Sequence, residues 1–136
     1  AVSDTGWAIG WFNDASHFKL RHSGVVHGGF DGFCQSWLVD YLGRVDIVVC
    51  EKYVVFNRAG DPTPLLIEGV IRHLRPDVVL QPASGKNTLV TNDEMKRYGV
   101  YTTEGHHQDS REGVRHALVY MVKSGHKPTI RKLKKP

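Results

Sequence analysis

Apolar and polar positions along the chain lay out a succession of short elements. Residues 7–12 and 19–26 are rich in aromatic and β-branched side chains. They flank Asn13-Asp14-Ala15-Ser16, a run of polar turn formers, and this spacing predicts a β-hairpin. Phe30, Phe33, Cys34, Trp37, Leu38 and Tyr41 then recur at helical spacing, which predicts one helix stopped by Gly43. Ile47-Val48-Val49-Cys50 is a continuous apolar run, the pattern of a strand covered on both faces, and it ends at Glu51. Asp61-Pro62 is a helix-start signal, and Leu65, Leu66, Gly69, Val70 and Leu74 are expected to fill the packed face of the helix that follows. Asp77-Val78-Val79-Leu80 predicts a second buried strand closed by Pro82, and Ser84-Gly85-Lys86-Asn87 a loop. Thr91-Asn92-Asp93-Glu94 is a capping box opening a short helix that Gly99 ends. A last helix is expected from about Asp109 to Lys123, with Val114, Leu118, Met121 and Val122 on its apolar side.

A hairpin followed by strands alternating with helices implies an α/β fold, with a mixed sheet of antiparallel and parallel strands flanked by helices. The 136 residues suffice for one domain, expected over 1–124, with 125–136 as a basic tail. At 40% hydrophobic and 24% charged the composition is that of a globular protein, which excludes wholesale disorder and collagen-like repeats. The apolar run ending at Cys50 is far too short to span a membrane, and no secretory leader opens the sequence. Cys34 and Cys50 are too few for a disulfide framework, so a soluble intracellular protein with reduced thiols is expected.

The net charge of +4 is modest, but its distribution is not even. Lys123, Lys127, Arg131, Lys132, Lys134 and Lys135 follow one another without an acid, and the rest of the chain carries 12 basic against 14 acidic residues. Such a tail suits a nucleic-acid backbone or an anionic surface, or serves simply as a solvated terminus.

Candidate chemistry rests on acids. Glu51 follows a predicted central strand, where open α/β sheets bind ligands, or else is the first polar residue past the sheet. Asp109 and Glu112, three apart, leave the same helix face; they suit the positive end of the helix dipole, and equally a hard divalent cation. Asp4 is a metal ligand or a turn residue. His106, His107 and His116 lack partners at zinc-ligand spacing. Ser84-Gly85-Lys86 falls short of a nucleotide-binding loop, though Lys86 could still neutralise a phosphate. Tyr53, Phe56 and Arg58 after Glu51 are stacking residues or ordinary packing.

Taken together, these segments resemble the RuvC-type Holliday junction resolvases of the RNase H-like nuclease superfamily. Residues 5–10, Thr-Gly-Trp-Ala-Ile-Gly, resemble the first hairpin of that family, and residues 45–51 its second motif, a buried strand ending in a catalytic Glu. Residues 76–86 with the helix after them are similar to its third strand and basic loop. Residues 109–118, Asp-Ser-Arg-Glu-Gly-Val-Arg-His-Ala-Leu, resemble its last motif, and the Arg-His-Ala ending is similar to small phage-encoded members.

The resemblance implies an RNase H-like fold and a Mg²⁺-dependent endonuclease, with Mn²⁺ able to substitute, acting on four-way junctions or on flaps and forks. It further implies Glu51, Asp109, Glu112 and a first-strand Asp holding two ions about 4 Å apart. Lys86 would offset charge on the scissile phosphate. Arg58, Arg131, Lys132, Lys134 and Lys135 would contact DNA backbone. A homodimer in a bacterial or phage-infected cytoplasm is implied, with Phe30, Trp37 and Tyr41 as interface candidates, and no membrane partner. The alternatives are a nuclease of the same fold acting on flaps, forks or RNA–DNA hybrids, and a module that binds structured DNA without cutting. Two features depart from the family pattern. Glu112 stands where Asp is usual, and the first-motif Asp would fall two residues before Ala1. An upstream segment supplying that Asp is therefore expected, with Asp4 as the replacement ligand otherwise.

Overall fold

The computed structural model of the protein describes residues 4–52, 61–101 and 108–135. In chain order the elements are β1 (Thr5–Trp11), β2 (Lys19–Val26), α1 (Gly29–Gln35), α2 (Trp37–Tyr41), a 3₁₀ turn (Leu42–Arg44), β3 (Val49–Lys52), α3 (Thr63–Leu74), β4 (Val79–Pro82), α4 (Lys86–Leu89), α5 (Asn92–Tyr98), α6 (Gln108–Lys123) and α7 (Lys127–Lys134). The fold is mixed α/β, as the order of segments predicts; among the described residues the strands form two separate two-stranded sheets, the antiparallel hairpin β1–β2 and the parallel pair β3–β4, where one mixed sheet was expected. Among the described residues, no helix is long and apolar enough to cross a membrane.

The chain, expected to be a single domain over 1–124, divides into two compact units. One comprises Ala1–Thr5 and Val26–Ala83, and the other Gly6–Val25 and Ser84–Pro136. In the first unit, Phe33, Leu38, Val48, Ile67 and Ile71 are buried. Arg75 organises the approach to its sheet. Its guanidinium donates to the carbonyls of Leu42 (2.6 Å), Val45 (2.7 Å) and Asp46 (3.0 Å) while gripping the Asp77 carboxylate (2.9 Å), which pins the segment leading into β3 to the segment leading into β4.

Four local expectations are corrected, three in this unit and one at the start of the segment 84–136. The helix predicted through residues 30–41 breaks at Ser36, which is extended (φ −78°, ψ 159°). The Ser36 hydroxyl donates to the Phe33 carbonyl at 2.6 Å, replacing a helical bond, so the chain restarts as α2. The strand predicted over 46–50 runs instead from Val49 to Lys52, so Glu51 lies inside β3, in register with Gln81, and exposed. On α3 the buried positions are Ile67, Glu68 and Ile71, whereas Leu65, Leu66 and Leu74 are 43%, 47% and 43% exposed. That helix carries two apolar stripes, and the wider one faces outward. Finally, the loop expected at 84–87 closes into α4 from Lys86 onward.

The second unit builds its core from Phe18, Val90, Met95, Tyr98, Val114, Leu118, Val119, Met121 and Leu133. Its hairpin turn is held by Asn13, whose Oδ1 accepts from the N–H groups of Ala15 (2.9 Å) and Ser16 (2.7 Å). The capping box is present as expected, Thr91 and Glu94 each accepting from the other's backbone N–H.

The expected basic tail is largely the helix α7, and this is the main correction in the unit. Leu133 and Thr129 are fully buried. The Thr129 hydroxyl accepts from the Phe18 N–H at 2.9 Å and meets His126 Nδ1 at 2.7 Å. The other ring nitrogen, Nε2, is 2.7 Å from the Asn13 carbonyl, which can only accept, so Nε2 bears the hydrogen. The Tyr98 hydroxyl donates to the Phe18 carbonyl at 2.6 Å. Burial pushes the Tyr98 phenol up to about 12, against the opposing hydrogen bond of Thr129, so it remains a donor at any ordinary pH. Phe18 is thus bound on both sides of its peptide by side chains from α5 and α7.

Removing this packing is expected to cost stability. Leu133→Ala should lose about 2–5 kcal/mol, and Thr129→Val about 1–3 kcal/mol through the orphaned Phe18 N–H. Urea denaturation checks both, and unchanged midpoints would mean that α7 is a dispensable appendage.

Candidate functional site

The sequence-predicted residues that the second unit brings together lie around the first turn of α6. Asp109 and Glu112 leave that turn three residues apart. Two glycines let β1 pack directly against it. A Cβ at Gly6 would stand 1.9 Å from the Asp109 carbonyl oxygen, and one at Gly113 would stand 3.0 Å from the Trp7 carbonyl carbon. No larger residue fits either position without moving backbone. The Gly6-Trp7 step and the Asp109–Gly113 turn, about a hundred residues apart in sequence, are therefore in direct contact.

Lys86, at the start of α4, ion-pairs with Glu112 Oε1 at 3.0 Å, and Arg115, one turn along α6, donates Nε–H to Oε2 at 3.1 Å. Arg115 is itself buried, and its other nitrogens donate to the Val90 carbonyl and to Asn92 Oδ1. Burial works against the charge of Glu112, but Lys86 and Arg115 outweigh it and hold the carboxyl below the usual glutamate range. Glu112 is thus an anion fixed between two cations. Asn87, Asn92, Gln108, Arg111, Glu112 and Arg115 line an open polar hollow of about 320 Å³ beside it.

Other predicted residues are placed differently. Asp4 belongs to the first unit, where its Oδ1 meets His27 Nδ1 at 2.9 Å. Glu51 belongs to the same unit, beside Cys50. Burial, with Glu68 and Glu51 adding negative charge, pushes the Cys50 thiol up to about 12, so that thiol stays protonated. Lys134, expected on DNA, is engaged within its own unit: it pairs with Glu94 at 2.8 Å and donates to the Leu89 carbonyl. Burial opposes the charge of Glu94, but Lys134 and the Thr91 N–H hold its carboxyl below the ordinary range. Arg131, Lys132 and Lys135 are exposed. His116 is buried in α6. Trp37, an interface candidate, is 49% exposed and stacks edge-on with Tyr41 (centroids 5.6 Å apart), while Phe30 is half-buried. Tyr53, Phe56, Arg58, His106 and His107 lie outside the described residues.

A metal site was expected from four carboxylates. Among the described residues, no group of three or more His, Cys, Asp or Glu side chains is gathered to hold an ion. Asp109 and Glu112 are oxygen donors suited in kind to Mg²⁺, but they are two, and Glu112 is already balanced by Lys86 and Arg115.

Arg115 is the functional-site residue that sequence reasoning passed over. Its signal was the spacing of three from Glu112, the same rule that paired Glu112 with Asp109. The charge balance of the units was also not evident in linear order. The second unit carries 13 basic and 6 acidic residues, a net +7, and the first carries 5 and 8, a net −3.

No protein-family model matches the chain, and no curated protein or solved structure is significantly similar to it.

The ion network makes two expectations. Arg115→Met should destabilise the protein by about 1–3 kcal/mol in urea denaturation, because it strands the buried Val90 carbonyl and leaves Glu112 with Lys86 in place of two cations. Because the folded carboxyl of Glu112 titrates below its unfolded range, its contribution is present above that range and lost as pH falls through the depressed value. The stability gap between wild type and Glu112→Gln should therefore be full at neutrality and close in strong acid. A gap independent of pH would assign the effect to packing.

Proposed function

We propose that the protein is an endonuclease acting on branched DNA, four-way junctions foremost, with Mg²⁺ as its metal and a second copy as its partner. The observation that carries the reading is the meeting, within one unit, of three segments that resemble separate resolvase motifs. These are the Gly6-Trp7 step, the start of α4 bearing Lys86, and the Asp109–Glu112 turn. Nothing in the local sequence of any one of them requires that they meet.

The chemistry of the turn is consistent with phosphate work. Two carboxylates supply hard oxygen donors, and the net +7 of the unit favours a polyanion. Lys86 stands where an incoming phosphate would find a cation already beside an anion, and Arg115 keeps Glu112 ionised when Lys86 turns toward that phosphate. Two carboxylates are fewer than a two-ion centre takes.

A second reading has its own support. Both oxygens of Glu112 are committed to Lys86 and Arg115, as they would be in a module that binds structured DNA without cutting it.

Incubating a labelled four-way junction with the protein in Mg²⁺, with Ca²⁺ as control, separates the two. Paired nicks in Mg²⁺ are expected, and Asp109→Asn should abolish them while junction binding in Ca²⁺ stays within about twofold. Binding without nicking favours the non-cutting module, and cutting of flaps alone moves the substrate away from junctions.

A further inference from the structure

Three cations of the second unit, on its hairpin and on α7, lie against aromatic rings. On the hairpin, Lys19 Nζ lies 5.0 Å from the centroid of the Trp11 ring, and the Arg21 guanidinium lies 5.7 Å from the same ring. On α7, Lys132 Nζ sits 4.5 Å from the Tyr98 ring centroid and 3.3 Å from His17 Nε2. The His17 ring in turn packs edge-on against Tyr98, with centroids 5.9 Å apart. His17, beside Lys132, stands two residues before Lys19 in the chain, at the entry to β2. Lys19, Arg21 and Lys132 are all exposed.

Aromatic faces hold flexible cations in place without neutralising them, in contrast to Lys134, whose charge is met by Glu94. The entropy of ordering three long side chains is thus partly met before any ligand arrives. Gly6 packs on the first turn of α6, and Trp11 is five residues further along β1. At about 3.3 Å per residue that is roughly 17 Å, so the Trp11 end of this surface is separate from the acid-bearing turn. The same length is about five base pairs of duplex at 3.4 Å each.

We infer that Lys19, Arg21 and Lys132, held on Trp11, Tyr98 and His17, form a contact surface for the phosphate backbone of a nucleic-acid duplex. As a nucleic-acid surface it shares the polyanion reading of the proposed function, but binding there needs no cleavage. The surface has a built-in response. Burial, Lys132 and Lys19 all disfavour protonated His17, while Tyr98 adds no charge. A phosphate seated on the two lysines reverses that field, so His17 gains proton affinity in the complex and binding tightens as pH falls.

The test is duplex binding by the full chain in EDTA, where cutting cannot contribute. It uses a fluorescent 20-base-pair duplex across a range of salt. The triple variant Lys19→Gln, Arg21→Gln, Lys132→Gln is compared with a charge-matched control, Arg97→Gln, Lys123→Gln, Lys127→Gln, after matching thermal melts. The log–log salt slope should fall by up to about 2.7 in the patch variant, at about 0.9 per lost phosphate contact, and far less in the control. Equal losses in both would reduce the effect to net charge and overturn the surface. So would a patch variant that loses binding to anionic phosphatidylserine vesicles but keeps its duplex affinity. In wild type, the His17 ring resonances should titrate at higher pH with duplex bound; an unmoved titration also overturns the inference. A protein that binds duplex through this surface but never nicks a junction leaves the inference standing and removes the endonuclease. One that nicks normally with an unaltered patch-variant slope does the reverse.

Discussion

The approach of β1 to the first turn of α6 is the constraint on which the second unit turns. A strand and a helix normally stand apart by the thickness of their side chains. Here Gly6 and Gly113 remove that thickness at two facing positions, and backbone meets backbone. The acid-bearing turn is therefore positioned by main chain, the least compliant part of the structure, and not by rotamers. Lys86 and Arg115 can then act on a carboxylate whose base does not move. Such support fixes the electrostatics of the turn, because small displacements of a charged group are costly.

The ion network around Glu112 also shows how one anion can serve two ends. Buried Arg115 must be paired, and its partners are a carbonyl, an amide oxygen and Glu112. The same contacts that satisfy the arginine join α6 to the chain entering α5. Folding and site electrostatics are thus coupled through one residue. The wider charge pattern follows similar lines, with the excess of acids in one unit and of bases in the other, so a net charge of +4 conceals a much stronger local potential.

Features set by neighbours in sequence were legible from the sequence, whereas features set by distant partners were not. The hairpin, the capping box at Thr91 and the long α6 were readable because their signals lie within a turn or two. Ser36 broke a well-formed apolar period because its hydroxyl competes for a helical carbonyl, and periodicity does not weigh that competition. Residues 127–134 read as a solvated tail because only Ile130 and Leu133 are apolar there. What buries the helix is Leu133 in the core together with a threonine whose hydroxyl partner is 111 residues away. On α3 two apolar stripes were present, and the pattern alone gave no means of choosing between them. At the site, Lys86 and Glu112 meet in the unit that also holds Asp109, whereas Asp4 and Glu51, expected beside them, belong to the other unit. The aromatic support of Lys19, Arg21 and Lys132 depends on ring placement that no spacing encodes.

The peptide of Phe18 has a further significance. Its N–H is buried and given to a side-chain hydroxyl on α7, outside any sheet or helix ladder. Deuterium can replace that hydrogen only when α7 lifts away and water reaches the amide. The exchange lifetime of this single amide therefore reports how often the last helix undocks, and so how often Lys132 leaves its place beside Tyr98, even when the rest of the unit remains folded.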